Sequence, residues 1–208
     1  MDTNVPIPIA YYEHNGYDKE DSSGMLTEFN RKRSKMTNPL SIKQLSNREE
    51  ASLLDTEFTS RYPWYTSKDY FYKCLEENAQ GSRVTLLAYY DGTLAGCCHL
   101  LFTSEYPNFK RNNIPEINDL NVFPEFRRKG IASKMFDEFE RIASKRSEQI
   151  GLAVGLYKDY GHAQKMYNKR GYVMDGHGIY YKNMEVKPGE QVSVDDDLLL
   201  YLIKELVD

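Results

Sequence analysis

Apolar and polar residues alternate along Leu40-Ser-Ile-Lys-Gln-Leu45, the pattern of a half-buried strand whose successive side chains point to opposite faces. The period then lengthens. Ala51, Leu54 and Phe58 recur at helical spacing behind Asn47, a candidate N-cap, with Glu49 and Glu50 in a first turn where the helix dipole favours negative charge. The aromatic stretch Tyr62-Pro-Trp-Tyr65 breaks this pattern, and Ser67 is a candidate cap for a second short helix through Leu75. Arg83 to Tyr90 and Thr93 to Phe102 are strand-like, and Asp91-Gly92 between them is a strong hairpin signal. Glu116 to Val122 predicts another strand. Ile131 to Ser147, with apolar residues at 131, 135, 139 and 142, predicts a helix, and Ile150 to Val154 a short apolar strand. Tyr160 to Arg170 predicts a helix stopped by Gly171. Tyr172 to Tyr181 and Leu198 to Ile203 supply the last strands around a turn at Pro188-Gly189. Hairpin strands followed by strand–helix–strand–helix predict a mixed α/β sheet.

Residues 1–37 stand apart. They hold Asn15-Gly16, an acidic-polar run from Asp18, and the basic run Arg31-Lys-Arg-Ser-Lys35, with weak apolar periodicity apart from Val5 to Tyr12. They read as an N-terminal extension dispensable for chemistry, and 38–208 as the functional domain. The whole chain of 208 residues suits one domain plus that appendage. Apolar residues at 40% and charged residues at 28% mark a globular protein rather than a disordered one. A net charge of −4 argues against general nucleic-acid binding. No apolar run is long enough for a membrane span, and Met-Asp-Thr-Asn-Val-Pro does not begin a secretory signal. The cysteines Cys74, Cys97 and Cys98 form no CxxC pair, and the histidines His14, His99, His162 and His177 have no metal-ligand spacing, so no metal site is expected. This usage fits a reducing cytoplasm.

The segment Leu120-Asn-Val-Phe-Pro-Glu-Phe-Arg-Arg-Lys-Gly-Ile-Ala-Ser133 carries the most chemistry. A strand stops at Pro124, which cannot donate to a ladder, and a short loop opens the long helix. Gly130 and Ala132 leave little side chain at the helix start, so a ligand can approach backbone N–H groups that have no helical partner. Arg127, Arg128 and Lys129 add positive charge, which suits a pyrophosphate. Taken alone, the pattern also describes an ordinary strand-to-helix turn with exposed basic residues. Neither G-x-G-x-x-G nor a Walker loop is present.

Arg127-x-x-Gly130-x-Ala132 resembles the acetyl-CoA motif of the GNAT acetyltransferases, and Leu120-Asn-Val-Phe-Pro-Glu is similar to that family's fourth strand and its exit. Downstream, Ala163-Gln-Lys-Met-Tyr167-Asn-Lys-Arg-Gly171-Tyr172 resembles the family's later motif. Tyr160 departs from it, standing where many members carry asparagine. The resemblance spans roughly 38–208. It implies a largely antiparallel, splayed sheet flanked by helices, and acetyl-CoA as co-substrate. It also implies a pantetheine arm bonded near Leu120, Asn121 and Val122, and a pyrophosphate on the amides of Arg128, Lys129, Gly130, Ile131, Ala132 and Ser133.

Amide formation needs a neutral amine, and an alkyl amine of pKa about 10.4 is only about 0.04% neutral at pH 7. A base is therefore useful. By the resemblance, Glu116 stands where protein-acetylating members hold a glutamate base. The other reading is a solvated residue at a strand start. Strict alternation puts Glu116, Asn118, Leu120 and Val122 on one face and Asp119 on the other, and Asp119 is next in line as base. Tyr167 matches the tyrosine that meets the cofactor sulfur in many members and can protonate the departing thiolate. The alternative is core packing beside Ala163. His162 reads as a surface residue, and Asp195-Asp-Asp197 as an acidic turn before the last strand. Most of Tyr62, Trp64, Tyr65, Tyr70, Phe71 and Tyr72 are expected in the core. The expected activity is N-acetyl transfer to a primary amine, on a small molecule or peptide, by direct attack in a ternary complex without a nucleophilic cysteine. The alternative is a non-catalytic acyl-CoA-binding sensor or scaffold. A monomer or homodimer is expected, with neither nucleic acid nor membrane as partner.

Overall fold

A computed structural model describes residues 39–66 and 68–206. The extension 1–37 and Ser67 therefore lie outside the described residues. The strands are β1 (Leu40–Gln44), β2 (Arg83–Tyr90), β3 (Thr93–Leu101), β4 (Glu116–Val122), β5 (Gln149–Gly155), β6 (Val173–Tyr181), β7 (Met184–Glu185) and β8 (Leu198–Glu205). The helices are α1 (Arg48–Arg61), α2 (Tyr70–Gln80), α3 (Pro107–Asn112), α4 (Ile131–Ala143) and α5 (Gly161–Lys169).

Local chemistry explains most boundaries. Asn47 caps α1, its side chain accepting from the Glu50 N–H at 2.9 Å. The β2–β3 hairpin turns on Asp91 and Gly92, with φ of 49° and 78°, the left-handed pair that a two-residue turn needs. Gly171 ends the α5 segment at φ 86°. Three features differ from the sequence reading. Helix α2 has Asp69 as its N-cap and runs to Gln80, stopped by left-handed Gly81. Helix α3 was not legible, because its short segment carries no period. Pro107 at its first position and the burial of Phe109 fix it. Lys182 and Asn183, both at positive φ, turn β6 into a further short strand, β7.

The sheet runs β1-β2-β3-β4-β5-β8-β6-β7, and every pair is antiparallel except β4–β5. On one face α4 and α5 pack through Met135, Phe136, Phe139 and Tyr167 into a cluster with Ile117 and Leu152. On the other, α1 and α2 pack through Leu54, Phe58 and Phe71 against Leu87 and Cys97. Tyr62, Tyr65 and Phe71 are buried, as expected of the aromatic stretch. Phe109 of α3 lies over Gly151 of β5, where an added Cβ would meet its ring at 2.3 Å. The two halves of the sheet are joined through β4 and β5, and the cluster under α4 and α5 spans both.

Candidate active site

The β4–β5 joint is short. Only Glu116↔Gly151 and Ile117↔Leu152 pair, so from Asn118 onward the β5-facing edge of β4 has no strand partner among the described residues. The backbone there is irregular too. Asp119 sits at φ 55°, a left-handed conformation inside a strand, and the register with β3 shifts between Cys97 and His99. The extra residue breaks the alternation assumed from sequence. Asp119 stands on the same face as Glu116, Asn118 and Asn121, toward α2. Leu120 and Val122 instead pack with the α4 side of the core. Strict alternation therefore misplaces Asp119, Leu120 and Val122, because a bulge cannot be read from a run of residue types.

Past Val122 the chain makes a turn of 3₁₀ helix, Pro124–Phe126, and reaches the basic loop. Arg127 donates from Nε to the Val122 carbonyl at 3.2 Å, so it braces the loop at least as much as it charges it. Arg128 at φ 61° and Gly130 at φ 78° bend the backbone onto the start of α4. The Lys134 N–H bonds the Gly130 carbonyl at 3.0 Å, which leaves the N–H groups of Ile131, Ala132 and Ser133 in the unpartnered first turn. Lys129 Nζ rests over the Tyr90 ring at 4.3 Å. An added Cβ at Gly130 would meet nothing within 4 Å, so the approach to those amides is open. Beside Ser133 lies a groove of about 380 Å³ lined by His162, Lys165, Met166, Lys169 and Arg170. The lysines of α5 were not singled out from sequence, although their place beside Tyr167 in the later motif brings them near the loop. Arg170 is held by Asp137 at 2.7 Å and Glu140 at 3.1 Å.

Two carboxylates of β4 are buried on the α2 face. Glu116 is 5% exposed and accepts from Ser104 Oγ at 2.5 Å and Asn118 Nδ2 at 3.2 Å. Burial raises its pKa, and both donors oppose the rise. A solvated role for Glu116 is thereby set aside. Asp119 is 1% exposed; burial pushes its carboxyl up to about 7 against the pull of Asn121, Tyr70 and Arg83. His99 lies beside it with Nε2 3.8 Å from Asp119 Oδ2, too far for a hydrogen bond, and Nδ1 2.8 Å from Thr85 Oγ1. Burial, reinforced by the Arg83 charge, holds His99 well below its ordinary pKa, so the pair is a neutral imidazole beside a carboxyl, not an ion pair.

Tyr167 is fully buried, with its ring stacked on Phe136 at 5.6 Å and edge-on to Tyr172 at 6.3 Å. Burial raises its pKa, with the Cys98 thiol of β3 adding to the rise. Its ring packs in the core, and its phenol stays protonated at neutral pH. Tyr160 is also buried. Its hydroxyl donates to Asp196 at 2.8 Å, and Tyr157 donates to the same oxygen, which ties the acidic turn to the end of β5. Cys97 and Cys98 are fully buried, and burial raises both thiols, so neither is a thiolate nucleophile. Among the described residues, no helix is long and apolar enough to cross a membrane, and no group of His, Cys, Asp and Glu could hold a metal.

Residues 48–172 match the model of the Acetyltransferase (GNAT) family. No curated protein matches the chain in sequence. Solved structures share the fold at low identity. Spermidine N-acetyltransferase from Vibrio cholerae superposes with a TM-score of 0.58 at 14% identity, over 82% of this chain and 95% of that one. The protein yncA from Salmonella typhimurium, solved with its cofactor acetyl-CoA, gives 0.57 at 13%, over 82% and 96%. Arabidopsis thaliana Naa50 with the bisubstrate analogue CoA-Ac-MVNAL gives 0.53 at 18%, over 80% and 99%.

Proposed function

The chain belongs to the GNAT acetyltransferase family, and from that premise we propose that it moves an acetyl group from acetyl-CoA to a primary amine by direct attack in a ternary complex. One observation carries the reading. The edge of β4 that lacks a strand partner runs into a loop whose left-handed Arg128 and Gly130 present the first-turn amides of α4. Those amides, of Ile131, Ala132 and Ser133, suit a pyrophosphate, and Arg128 and Lys129 add charge beside them. Lys165 and Lys169 suit the anionic nucleotide end along the groove beside Ser133. The free edge of β4 near Leu120, Asn121 and Val122 suits the amide-bearing pantetheine arm. The open space at Gly130 fits such a ligand.

When bound, acetyl-CoA supplies an acetyl thioester. The protein's own groups do the rest. Glu116 aids deprotonation of the acceptor, directly or through water, its raised pKa making it a better base than a solvated carboxylate. Tyr167 offers a protonated hydroxyl to the sulfur as negative charge develops there. The spermidine enzyme and Naa50 suggest an acceptor of small-amine or peptide type. The chemistry in this reading sits within 38–208.

Two measurements test it together. Calorimetry reads CoA affinity, and a free-thiol assay with acetyl-CoA and a panel of amines reads transfer. Tight binding with thiol release that needs an amine supports the enzyme. Tight binding without release from any amine would leave a binding module, and no binding would overturn both.

A further inference from the structure

We infer that the β6–β7 end of the sheet is an interface with a second copy of this chain, carried by an apolar strip of Met174, Ile179 and Met184 and framed by charges of alternating sign. Leu53 of α1 apart, every large apolar side chain that stays exposed among the described residues lies between Val173 and Val194. Met174 is 69% exposed and Met184 72%. Single exposed apolar residues are ordinary, but a contiguous group of them marks an interaction surface. Methionine suits such a surface, because its flexible thioether adapts to what it meets.

The register puts the three side chains together. Met174 pairs with Leu202, Ile179 with Leu200, and Met184 with Tyr181, which itself pairs with Leu198. Directly paired residues of antiparallel strands share a face, so the strip lies on the face of Leu198, Leu200 and Leu202. Leu202 in turn pairs with Leu152, in the core under α4 and α5. The strip therefore continues that core outward onto uncovered sheet. Between Met174 and Ile179, β6 loses register with β8. Gly176 and Gly178, both at φ 81°, bow it into space where an added Cβ would meet nothing within 4 Å. On the outer side β7 pairs with Tyr180 and Tyr181 alone, so Val173 to Gly178 have no strand partner there among the described residues. The opposite end of the sheet is guarded. On β1 the exposed positions are Ser41, Lys43 and Gln44, and Lys43 is bound to Glu50 at 2.6 Å.

A second copy is the occupant that the charges select. Along the same stretch Lys182, Glu185, Lys187 and Glu190 are exposed and alternate in sign. A surface of one sign would repel its own copy and draw an oppositely charged partner instead. An alternating surface can meet itself about a twofold axis, with Lys opposite Glu and each apolar strip covering its counterpart. Residues 173–194 also match in number the about 20–30 residues a side that a standard interface uses. The bulge breaks any continuous ladder between two β6 strands, so side chains, more than backbone hydrogen bonds, hold the copies together.

The test is molar mass by sedimentation equilibrium of the full chain, from about 1 μM to about 1 mM, for the wild type, Met174→Lys, Met184→Lys and Leu53→Lys. The wild type should reach at least twice the 24.2 kDa of one chain. Met174→Lys and Met184→Lys each replace an exposed side chain, so the urea midpoint should hold. Each sets like charges against one another across the twofold axis and should weaken association by at least about 100-fold. Leu53→Lys, on α1 across the sheet, should leave the dimer intact. Lys182→Glu with Lys187→Glu gives the frame one sign and should weaken the dimer. Adding Glu185→Lys and Glu190→Lys restores the alternation and should restore the dimer, which only self-association would do. A wild type that stays at 24.2 kDa throughout overturns the inference. So does a dimer that survives both methionine variants, one that Leu53→Lys dissolves, or a charge-swapped chain that stays apart. No step of this test reads acetyl transfer, so its outcome is separate from that of the enzyme reading.

Discussion

Asp119→Asn should change the pH dependence of folding stability in a way that needs no substrate. An aspartate in the unfolded chain has a pKa of about 3.9. In the fold, burial raises Asp119 to about 7. The folded state therefore binds the proton more tightly, and the group's contribution is fully present below about pH 4 and lost as pH rises through about 7. A difference of roughly three units, at 1.36 kcal/mol each, amounts to about 4 kcal/mol. Asparagine has nearly the same shape and never ionises; its one oxygen can accept from Asn121 while its NH2 donates to the Tyr70 hydroxyl, which can turn to accept. Its stability relative to the wild type should thus climb by about 4 kcal/mol between about pH 4 and about pH 8. All other titrating groups are shared by the two proteins and cancel to first order. Urea unfolding of both proteins at a series of pH values measures the gap, with equal m-values as the check that the unfolded ensembles match. A gap that does not change with pH would refute the reasoning, because it would mean that Asp119 titrates alike in both states.

Three further perturbations follow from the site. Tyr167→Phe keeps the ring stacked on Phe136, so thermal melting and CoA affinity should hardly change while kcat falls by about 10²–10⁴-fold; a fall in melting temperature with kcat intact would assign the hydroxyl to packing instead. Gly130→Glu places its Cβ in open space but at φ 78°, at a cost of about 1–2 kcal/mol, and sets a carboxylate beside the first-turn amides. The variant should fold and lose at least about tenfold in CoA affinity by calorimetry, since an unfavourable 1.4 kcal/mol already suffices for that. Gly96→Ala would bring a Cβ to 2.1 Å from the Asn121 carbonyl, so urea unfolding should show a loss of about 1–3 kcal/mol; an unchanged midpoint would mean that β3 and β4 can part there freely.

The local rules of the chain determined most of the elements. The span of β4, the capping of α1 by Asn47, the Asp91-Gly92 hairpin and the Gly171 stop all depend on neighbours within a turn or two, so residue type and period suffice. The basic loop was legible for the same reason, since the need for backbone access at Gly130 is written in one residue. What the sequence could not decide is everything that depends on non-local pairing. The bulge at Asp119 exists because β3 offers one residue fewer than β4 between Cys97 and His99, a mismatch between two strands that neither strand records. That slip places Asp119 with Glu116 and sends Leu120 to the opposite face. The conversion of Tyr160 from a departure in a motif into a buried tether for Asp196 required the last strand to return beside β5. The meeting of Tyr70, Arg83, His99 and Asp119, from two strands, a helix and the bulged β4, is likewise a product of packing, because burial and opposing dipoles act through space and have no period along the chain.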